Sequence, residues 1–283
     1  MKTAVIYGAS MTGKDVYRQV KDKYDILFFV DRNPALVGEE IDGYPIKEEK
    51  AVLDAKPDIL IMGVLTGYET SAKKYAENGF PAERIITSYV DLPHRARTKA
   101  LEMAASIIKE KNVPGAVAEL GVYRGDFSRE INRVFSDKTL YLFDTFEGFP
   151  DDDLQFDEEN DLLLTKVGKL DNTSVEMVRN KLPHPEKAKF IKGYFPASIN
   201  RGGIADDRFS FVNIDVDLYK PILAGLNWFW PRLSPYGYIF VHDYFSLSYV
   251  GAKKAIEEFA EANKVNFSPI GDTLSVAFCK NGK

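Results

Sequence analysis

Acidic residues and one histidine stand where two apolar runs of the sequence end. The run FVNIDVDLYKP carries Asp215 and Asp217, and the next apolar run closes on His242 and Asp243. Apolar runs of this length, each followed by a helical pattern, are typical of strands in a buried parallel sheet. If the two strands are neighbours, Asp215, His242 and Asp243 converge at the carboxyl edge of the sheet, where α/β proteins bind their ligands.

Carboxylates brought this close repel one another unless a cation neutralises them. Two carboxylates with one imidazole are a ligand set for a divalent metal such as Mg²⁺ or Mn²⁺, so Asp215, His242 and Asp243 are the candidate metal ligands. Two alternatives need no metal. Asp217 can serve as the N-cap of a helix whose first turn holds Pro221, and His242 can be a hydrogen-bonded residue at the end of a strand.

A glycine turn upstream of these residues predicts a nucleoside site. In AELGVYRGD, Gly121 and Gly125 lie between an apolar run and a helical pattern, where a tight turn leaves free N–H groups at the start of the helix. Asp144 ends the next apolar run, in register to accept hydrogen bonds from the two hydroxyls of a ribose. The turn lacks the middle glycine of the dinucleotide fingerprint, which favours a nucleoside without a pyrophosphate. S-adenosylmethionine is such a ligand, with Glu119 expected near its methionine amino group, and a turn that binds nothing is the alternative.

The N-terminal region has a weaker turn of the same kind. GASMTG places Gly8 and Gly13 after the first apolar run, but Ser10 stands where the second glycine of a dinucleotide fingerprint would be. Asp31 ends the second apolar run. A site for a small nucleotide or a sugar nucleotide is one interpretation, and a turn without a ligand is the other.

These motifs lie in two successive alternations of strand and helix, which predict two α/β units with parallel sheets covered on both faces. The polar segment DLPHRART (91–98) separates them, so we expect a small Rossmann-like domain over residues 1–92 and a larger domain over residues 93–283. The expected strands of the small domain are 3–8, 25–31, 57–63 and 84–90. Those of the large domain are 115–121, 139–144, 188–193, 208–215, 236–243 and 273–280, after a helix over 99–111.

The composition indicates a soluble globular chain of 283 residues, with 45% hydrophobic and 28% charged residues. A formal charge of −5, without a cluster of basic residues, argues against a nucleic-acid partner. No apolar run is long enough to span a bilayer, and the first run leads directly into a glycine turn, which is typical of a strand and not of a signal peptide. Cys279 is the one cysteine, so no internal disulfide can form, and we expect a cytoplasmic protein.

Five segments together resemble the macrocin O-methyltransferase (TylF/MycF) family. They are VAELGVYRGDFS, LYLFDTFEGFP, FIKGYFPASI, NIDVDLYKPILAGL and LSPYGYIFVHDYF, and the resemblance covers about residues 100–265, with the motifs in the family's order. It implies a seven-stranded, Rossmann-like class I methyltransferase fold and S-adenosylmethionine as cofactor. It also implies methylation of a hydroxyl on a small sugar-containing molecule, Mg²⁺ in several members, and a homodimer or a higher homo-oligomer.

On this resemblance, Glu119, Gly121 and Asp144 match the cofactor site, and Asp215 matches the first metal aspartate. The pair His242–Asp243 departs from the family, which usually has two adjacent aspartates there, and an imidazole in that place would hold Mg²⁺ less well. The N-terminal region resembles small Rossmann-like modules of proteins that modify sugars and polysaccharides. The residues that we expect to contact the cofactor are Glu119, Gly121, Tyr123, Gly125, Asp144, Thr145, Gly193 and Asp215.

Methyl transfer to an alcohol needs a group that takes the proton of the hydroxyl. Asp215, Asp217 and His242 are the expected catalytic residues, because all three lie at the strand ends that face the cofactor site. An acid of the Asp215/Asp217 pair is favoured over Lys220, since a lysine is charged at neutral pH unless its surroundings lower its pKa.

The acidic run DDDLQFDEEN (151–160) shows no hydrophobic periodicity. We expect a solvent-exposed loop there, with a lid over the substrate as the alternative.

Two rival functions stay open on the sequence. A nucleotide-sugar oxidoreductase or epimerase would need a better dinucleotide turn and a Tyr-x-x-x-Lys pair, for which Tyr68 and Lys73 are wrongly spaced. A non-catalytic protein that binds S-adenosylmethionine or a nucleotide on a degenerate methyltransferase fold is the second, and His242 in place of an aspartate favours it.

Overall fold

The computed structural model describes residues 1–64, 67–164, 167–201, 204 and 208–282. The chain divides into two compact units, Met1–Arg95 and Ala96–Lys283, and the boundary expected between residues 92 and 93 lies close to this division. Each unit is an α/β structure with its own sheet, as the alternating sequence patterns predict. No helix in the described ranges is both long and apolar enough to cross a membrane.

The first unit is built on a six-stranded sheet in the order β3-β4-β2-β1-β5-β6, which is parallel except for the β3–β4 pair. Its central strands are apolar and almost entirely buried, as a sheet covered on both faces requires. In chain order its elements are β1 (Thr3–Tyr7), α1 (Met11–Val20), β2 (Asp25–Val30), β3 (Glu40–Ile41), β4 (Tyr44–Lys47), α2 (Ala51–Ala55), β5 (Ile59–Met62), α3 (Tyr68–Glu77), a 3₁₀ turn (Ala82–Arg84) and β6 (Ile85–Ile86).

Helix α4 (Ser88–Glu110) corrects two expectations from the sequence. The strand expected over 84–90 is only two residues long as β6, and the polar segment 91–98, expected as a linker, is helical. Polar composition does not by itself end a helix, because arginine and leucine are good helix formers. The turns that follow are anchored by buried Leu101 and Ile108, and the helix continues back from them through the polar segment.

The second unit contains a seven-stranded sheet. Its elements after α4 are β7 (Ala116–Leu120), α5 (Asp126–Val134), β8 (Leu140–Asp144), α6 (Asp151–Glu159), α7 (Val175–Arg179), a 3₁₀ turn (Pro185–Lys187), β9 (Ala188–Lys192), a 3₁₀ turn (Ala197–Arg201), β10 (Phe209–Ile214), α8 (Tyr219–Arg232), β11 (Leu233–Val241), α9 (Val250–Asn263), β12 (Ser268–Pro269) and β13 (Val276–Cys279).

The strand order of this sheet is β12-β13-β11-β10-β7-β8-β9, with β13 antiparallel to both of its neighbours and the other neighbouring pairs parallel. After β7 the chain first builds outward through β8 and β9, and then crosses to the other side of β7 to form β10 and β11. Such a switch point opens a crevice beyond the carboxyl ends of the strands, here between β7 and β10. The expectation of a Rossmann-like, seven-stranded sheet is confirmed.

Strand β10 is buried at every position and is packed on both faces of the sheet. On one face, the ring centre of Phe211 lies 5.5 Å from that of Phe135 and 5.0 Å from that of Phe240. On the other face, Val212 and Ile214 belong to the apolar cluster under α8 and α9. A strand held on both faces places the residues that follow it at a defined point of the carboxyl edge.

Candidate active site

The ends of β10 and β11 bring the predicted metal ligands together. The two strands are parallel neighbours, so Asp215 and the pair His242–Asp243 lie side by side, as the sequence predicts. His242 Nδ1 lies 3.2 Å from Asp215 Oδ1 and 2.8 Å from Asp243 Oδ2. One potential ligand atom from each of the three residues lies within 4.8 Å of the other two.

A buried arginine from α4 completes this cluster, and sequence reasoning missed it. The Arg97 guanidinium donates hydrogen bonds to Asp215 Oδ2 and to Asn213 Oδ1, both at 2.9 Å. Its Cζ lies 4.1 Å from the centre of the Phe127 ring, and its Nε lies 4.0 Å from Asp272 Oδ2. The polar segment around Arg97 has no apolar periodicity. No signal in the sequence therefore distinguishes Arg97 from Arg95, which is exposed. Its permanent positive charge is a structural part of the site.

Opposite charges in the cluster stabilise each other. Burial alone would raise the pKa of Asp215, but the positive charges of His242 and Arg97, and the hydrogen bonds that they donate, hold it well below its usual range. Burial alone would lower the pKa of His242, but the carboxylates of Asp215 and Asp243 raise it well above its usual value. At neutral pH Asp215 is therefore ionised and His242 is protonated.

Asp217 does not cap the helix that follows it. Helix α8 begins at Tyr219 with Leu218 as its N-cap residue, and no side-chain hydrogen bond closes that cap. Asp217 has a φ of 61°, which is uncommon for a residue other than glycine. Burial and the charges of Asp243 and Asp215 raise its pKa well above the usual value. A partly exposed carboxyl group with a strained backbone and a raised pKa is typical of a functional position.

Glu119 lies beneath the cluster, within the sheet. It is paired with Asn213 across β7 and β10, and it accepts hydrogen bonds from Asn213 Nδ2 at 3.0 Å and from Ser128 Oγ. Burial raises the pKa of Glu119 to about 8, and the hydrogen bond from Ser128 partly opposes this rise. The carboxyl group is therefore mostly neutral at pH 7.

A pocket opens at the switch point between β7 and β10, and its empty volume is about 600 Å³ when the space open to solvent is counted. A side chain added at Gly121, whose φ is 87°, would overlap the carbonyl oxygen of Asp215, so glycine is required where the two strand ends meet. The pocket is lined by residues from the strand ends and the loops that follow them: Leu120, Gly121, Tyr123, Phe143, Asp144, Thr145, Gly148, Phe149, Pro150, Leu170, Gly193, Tyr194, Phe195, Asp215, Val216 and Asp217.

Most of the residues expected to contact the cofactor line this pocket, and two do not. Glu119 is covered by its own hydrogen-bond partners, and Gly125 faces Val178, whose Cγ1 would lie 2.7 Å from a Cβ added at the glycine. The expected cofactor contacts of all eight residues stay predictions. Those that do line the pocket are Gly121, Tyr123, Asp144, Thr145, Gly193 and Asp215.

Asp144 braces the glycine turn. Its Oδ2 accepts hydrogen bonds from the N–H groups of Val122 at 2.6 Å and Tyr123 at 2.9 Å, and its Oδ1 accepts one from Phe146 N–H at 2.6 Å. A carboxylate offers about four acceptor positions. Three bonds to the backbone leave room for about one more, so the two hydroxyls of a ribose would have to compete with the turn.

The acidic run that we expected to be a loop is the helix α6. Asp153 and Asp157 lie one turn apart on it and are 3% and 1% exposed. Asp153 Oδ1 accepts a hydrogen bond from Tyr194 OH at 3.2 Å, and Asp157 Oδ2 accepts one from the backbone N–H of Tyr219 at 3.0 Å. The prediction was wrong because two of the helix's inward positions hold acids, which hide the apolar period that marks an amphipathic helix.

The larger unit matches a known protein family. The sequence profile of the macrocin O-methyltransferase (TylF) family matches residues 87–279, which is more than half of the chain. The chain belongs to this family. The resemblance carried by the five sequence segments is thus confirmed. Residues 1–86 match the profile of the C2185-like N-terminal domain.

Relatives of this TylF-family protein include enzymes named for glycosylated compounds. The mycinamicin III 3''-O-methyltransferase of Micromonospora griseorubida is 28% identical over 166 residues, which are 54% of this chain and 63% of that enzyme. The 8-demethyl-8-(2,3-dimethoxy-alpha-L-rhamnosyl)-tetracenomycin-C 4'-O-methyltransferase of Streptomyces olivaceus is 27% identical over 166 residues, 52% of this chain and 60% of that enzyme. The chain thus covers less than two thirds of each of these relatives.

Among solved structures, the calicheamicin methyltransferase CalS11 is similar with a TM-score of 0.56 at 16% identity. The match covers 76% of this chain and 91% of that one. At this identity the likeness concerns the fold.

The donor atoms of the TylF-family protein fit a divalent metal. Two carboxylates and one imidazole are a ligand set that a divalent metal can take, and one potential ligand atom from each residue lies within 4.8 Å of the other two. In the absence of a metal, the separations of 2.8 and 3.2 Å around His242 Nδ1 are those of its ion pairs with the two carboxylates. Asp215 keeps Oδ1 for a metal while Arg97 holds Oδ2. A metal ligand must be deprotonated, so His242 would have to release its proton on binding.

Proposed function

We propose that this protein is an S-adenosylmethionine-dependent O-methyltransferase that methylates a hydroxyl group of a sugar or of a sugar-containing metabolite. One observation carries the proposal: the pocket extends from Asp144, the expected ribose acceptor, to Asp215 and Asp217 beside the charged cluster. Family membership supports the reaction class. The relatives named for mycinamicin and for a rhamnosyl-tetracenomycin support a glycosylated acceptor.

The residues of the pocket wall have distinct parts in this proposal. S-adenosylmethionine supplies the methyl group when it is bound. Asp144 accepts a hydrogen bond from the ribose, while Gly121, Tyr123, Thr145 and Gly193 enclose the nucleoside. The N–H groups of Val122 and Tyr123 in the glycine turn already donate hydrogen bonds to Asp144, so the conformation of the turn is fixed before a ligand binds.

Asp217 is the proposed general base. Its carboxyl group lines the pocket beside Asp215, and its raised pKa increases the proton affinity of the carboxylate. His242 suits this part less well, since its Nδ1 already lies within hydrogen-bond distance of Asp215 and Asp243. When the acceptor hydroxyl is methylated, Asp217 would take its proton, and the pocket wall would hold the hydroxyl oxygen towards the methyl group that the cofactor supplies.

Asp215, His242 and Asp243 are the proposed holders of a divalent metal. Such an ion would lower the pKa of acceptor hydroxyls bound to it. An imidazole among the ligands favours Mn²⁺ or a later divalent ion over Mg²⁺, which prefers oxygen ligands. Arg97 would fix the orientation of Asp215 from the side that the metal does not use.

The proposal is tested by calorimetric titration of S-adenosylhomocysteine into the full chain, alone and with Mg²⁺ or Mn²⁺, beside the Asp144→Ala variant. We expect binding in the micromolar range that the substitution weakens at least tenfold. Methyl transfer from S-adenosylmethionine to p-nitrophenyl α-L-rhamnoside and related glycosides then tests the acceptor class. Absence of binding in every condition would contradict the proposal, and tight binding without transfer to any glycoside would favour the non-catalytic alternative.

Three finer expectations stay predictions with their own tests. Light scattering of the purified protein tests the homodimer or higher oligomer. Localisation of the tagged chain tests the cytoplasm. Titration of nucleotides and sugar nucleotides tests whether the GASMTG turn of the first unit binds a ligand.

A further inference from the structure

We propose that Asp157, a buried residue of α6, positions the two turns that carry the candidate catalytic groups. The inference rests on the proposed function, because it concerns Asp217 and His242 as groups of the reaction. Asp157 does not line the pocket. It is therefore a positioning residue, and it acts through the starts of α8 and α9.

The first observation concerns the start of α8. The first N–H groups of a helix have no acceptor within the helix, and an N-cap side chain usually supplies one. The N-cap residue here is Leu218, which has no acceptor, and Pro221 in the first turn has no N–H. Asp157 Oδ2 accepts the N–H of Tyr219 at 3.0 Å. The acceptor that the local sequence lacks is supplied by a different helix.

This hydrogen bond holds one end of a very short connection. Between β10 and α8 lie only residues 215–218, and the other end is held by the hydrogen bond from Asp215 N–H to Leu120 O at 2.8 Å. Asp217 sits inside this connection with its φ of 61°. A strained conformation persists only where its surroundings hold it, and the Asp157–Tyr219 bond is the restraint at the α8 end of this connection.

The second observation concerns the start of α9, which follows the loop after His242–Asp243. A Cβ added at Gly251 would lie 2.9 Å from Asp157 Oδ2, so the carboxylate lies against the first turn of α9. The residues after α6 continue this contact. Leu162 O accepts the N–H of Gly251 at 2.9 Å, and Leu164 N–H donates to Ser248 O at 2.9 Å. One carboxylate thus lies where the helices after β10 and β11 both begin.

Stability alone does not explain an aspartate in this place. Asp157 is 1% exposed, and its Oδ1 has no hydrogen-bond partner in the part of the chain that the structure describes. A buried polar atom without a partner destabilises a fold, and an apolar residue of similar size is often the more stable choice. The presence of an aspartate is explained by its Oδ2, which accepts the N–H of Tyr219 at the start of α8 and lies against Gly251 at the start of α9.

The test compares Asp157→Ala with Asp157→Asn, which keeps an acceptor oxygen, and with Asp153→Ala. Asp153 is a matched control because it is a similarly buried acid one turn earlier. Its Oδ1 accepts a hydrogen bond from Tyr194 OH and lies 4.0 Å from Lys220 Nζ, whereas the N–H of Tyr219 is bound by Asp157. Three quantities are measured on the full chain: amide hydrogen exchange of residues 215–222, affinity for S-adenosylhomocysteine, and kcat with p-nitrophenyl α-L-rhamnoside.

We expect Asp157→Ala to expose the Tyr219 amide to faster exchange and to lower kcat by about 10- to 100-fold, because small displacements of reacting groups cost this much. Affinity for S-adenosylhomocysteine should change less than about threefold, since the residues expected to enclose the nucleoside, such as Gly121 and Asp144, lie on other elements of the pocket wall. Asp157→Asn should restore both exchange and kcat. Asp153→Ala should leave the Tyr219 amide protected.

If Asp157→Ala does not fold, the Gly251→Ala variant tests the positioning role of Asp157 instead. Its added methyl group would lie 2.9 Å from Asp157 Oδ2 and 3.1 Å from the Cβ atoms of Leu162 and Tyr219, so it separates the carboxylate from the starts of both helices while alanine strengthens α9. We expect faster exchange of the Tyr219 amide and the same loss of kcat in a folded protein. Unchanged exchange and kcat in the folded variants would overturn the positioning role. Failure of the wild-type protein to bind S-adenosylhomocysteine would instead contradict the proposed function, so the two failures are distinguishable.

Discussion

The two units of this molecule share one local construction. In each, a glycine turn joins the first strand to a helix, and the acid that ends the second strand accepts hydrogen bonds from the turn. Asp31 Oδ2 accepts the N–H of Ala9 at 2.8 Å, and Asp144 Oδ2 accepts the N–H of Val122 at 2.6 Å. In both units the acid is therefore a brace of the turn. An acid at this position is not by itself a sign of ribose binding.

The units differ in the strand across the switch point. In the first unit, β5 is followed by Gly63, and a Cβ added there would lie 2.9 Å from the Cα of Gly13, so the strand end packs against the turn. In the second unit, β10 is followed by Asp215 and Asp217, which line an open pocket. The glycine turn has a similar conformation in both units. The chemistry that each unit can perform depends on the residues that follow the strand across the switch point.

The largest effect is expected for Arg97→Met in the second unit, because Arg97 neutralises Asp215, one of the acids that follow β10. We expect the free energy of unfolding to fall by about 3–5 kcal/mol, since Asp215 would lose one of its two cationic partners and Asn213 would lose its hydrogen bond from the guanidinium. Urea unfolding followed by tryptophan fluorescence reports on the unit that contains Trp228 and Trp230. Arg95→Met is the control: Arg95 is mostly exposed, and its pair with Asp91 should contribute less than about 1 kcal/mol. Equal stability of the two variants would refute a structural role for the buried arginine.

Replacing one turn glycine of each unit with alanine distinguishes a role in the stability of the fold from a role in ligand binding. Gly8 has a φ of 111° and Gly121 a φ of 87°, and a side chain at either would overlap the strand across the switch point. We expect each substitution to destabilise its own unit by about 3 kcal/mol. Only Gly121→Ala should abolish binding of S-adenosylhomocysteine, measured by calorimetry below the unfolding transition. Loss of binding in Gly8→Ala would mean that the comparison between the units is wrong.

Replacing the acid that holds each glycine turn tests whether Asp144 also binds the ligand. Asp31→Ala and Asp144→Ala should each lower the free energy of unfolding by about 2 kcal/mol, because backbone N–H groups lose a charged acceptor. Thermal unfolding measures both losses. Asp144→Ala alone should also weaken binding of S-adenosylhomocysteine. Similar affinities in the two variants would show that Asp144 serves the turn and not the ribose.

Glu119 should make the stability of the second unit depend on pH. Its pKa is about 8 in the folded state against a usual 4.5, so between these values only the folded state binds the proton. The stabilisation is complete below about pH 4.5 and is lost as the pH rises towards 8, by about 1.4 kcal/mol per pH unit. Glu119→Gln should flatten the change in urea midpoint between pH 5.5 and 7.5.

Glu49 of the first unit provides the control for this pH dependence. Burial alone would raise its pKa, but hydrogen bonds from Tyr7 and Lys74 lower it. Its contribution to stability is lost only as the pH falls through this lowered value. Glu49→Gln should therefore leave the pH dependence between 5.5 and 7.5 as it is in the wild type, and a flattened profile in this variant would argue against Glu119 as the source.

Several features of the site could be predicted from the sequence because they depend on neighbours along the chain. Alternating strand and helix patterns indicate two α/β units, and the acids that close two apolar runs converge when those runs become adjacent parallel strands. The glycine turn at Gly121 and the acid Asp144 were recognisable from their spacing. Each of these predictions needed only local periodicity and the rule that parallel strands end at one edge.

The remaining features depend on contacts between distant segments. Arg97 reaches Asp215 across 118 residues of sequence, and Asp157 reaches Tyr219 across 62. Both side chains belong to polar segments, which local rules assign to solvent, and only packing turns them inward. Local sequence patterns are therefore enough to predict the two sheets and the acids that meet at the edge of the second. They do not reveal that Arg97 neutralises these acids or that Asp157 holds the helices behind them, because burial of a charged group depends on a partner that lies far away in the sequence.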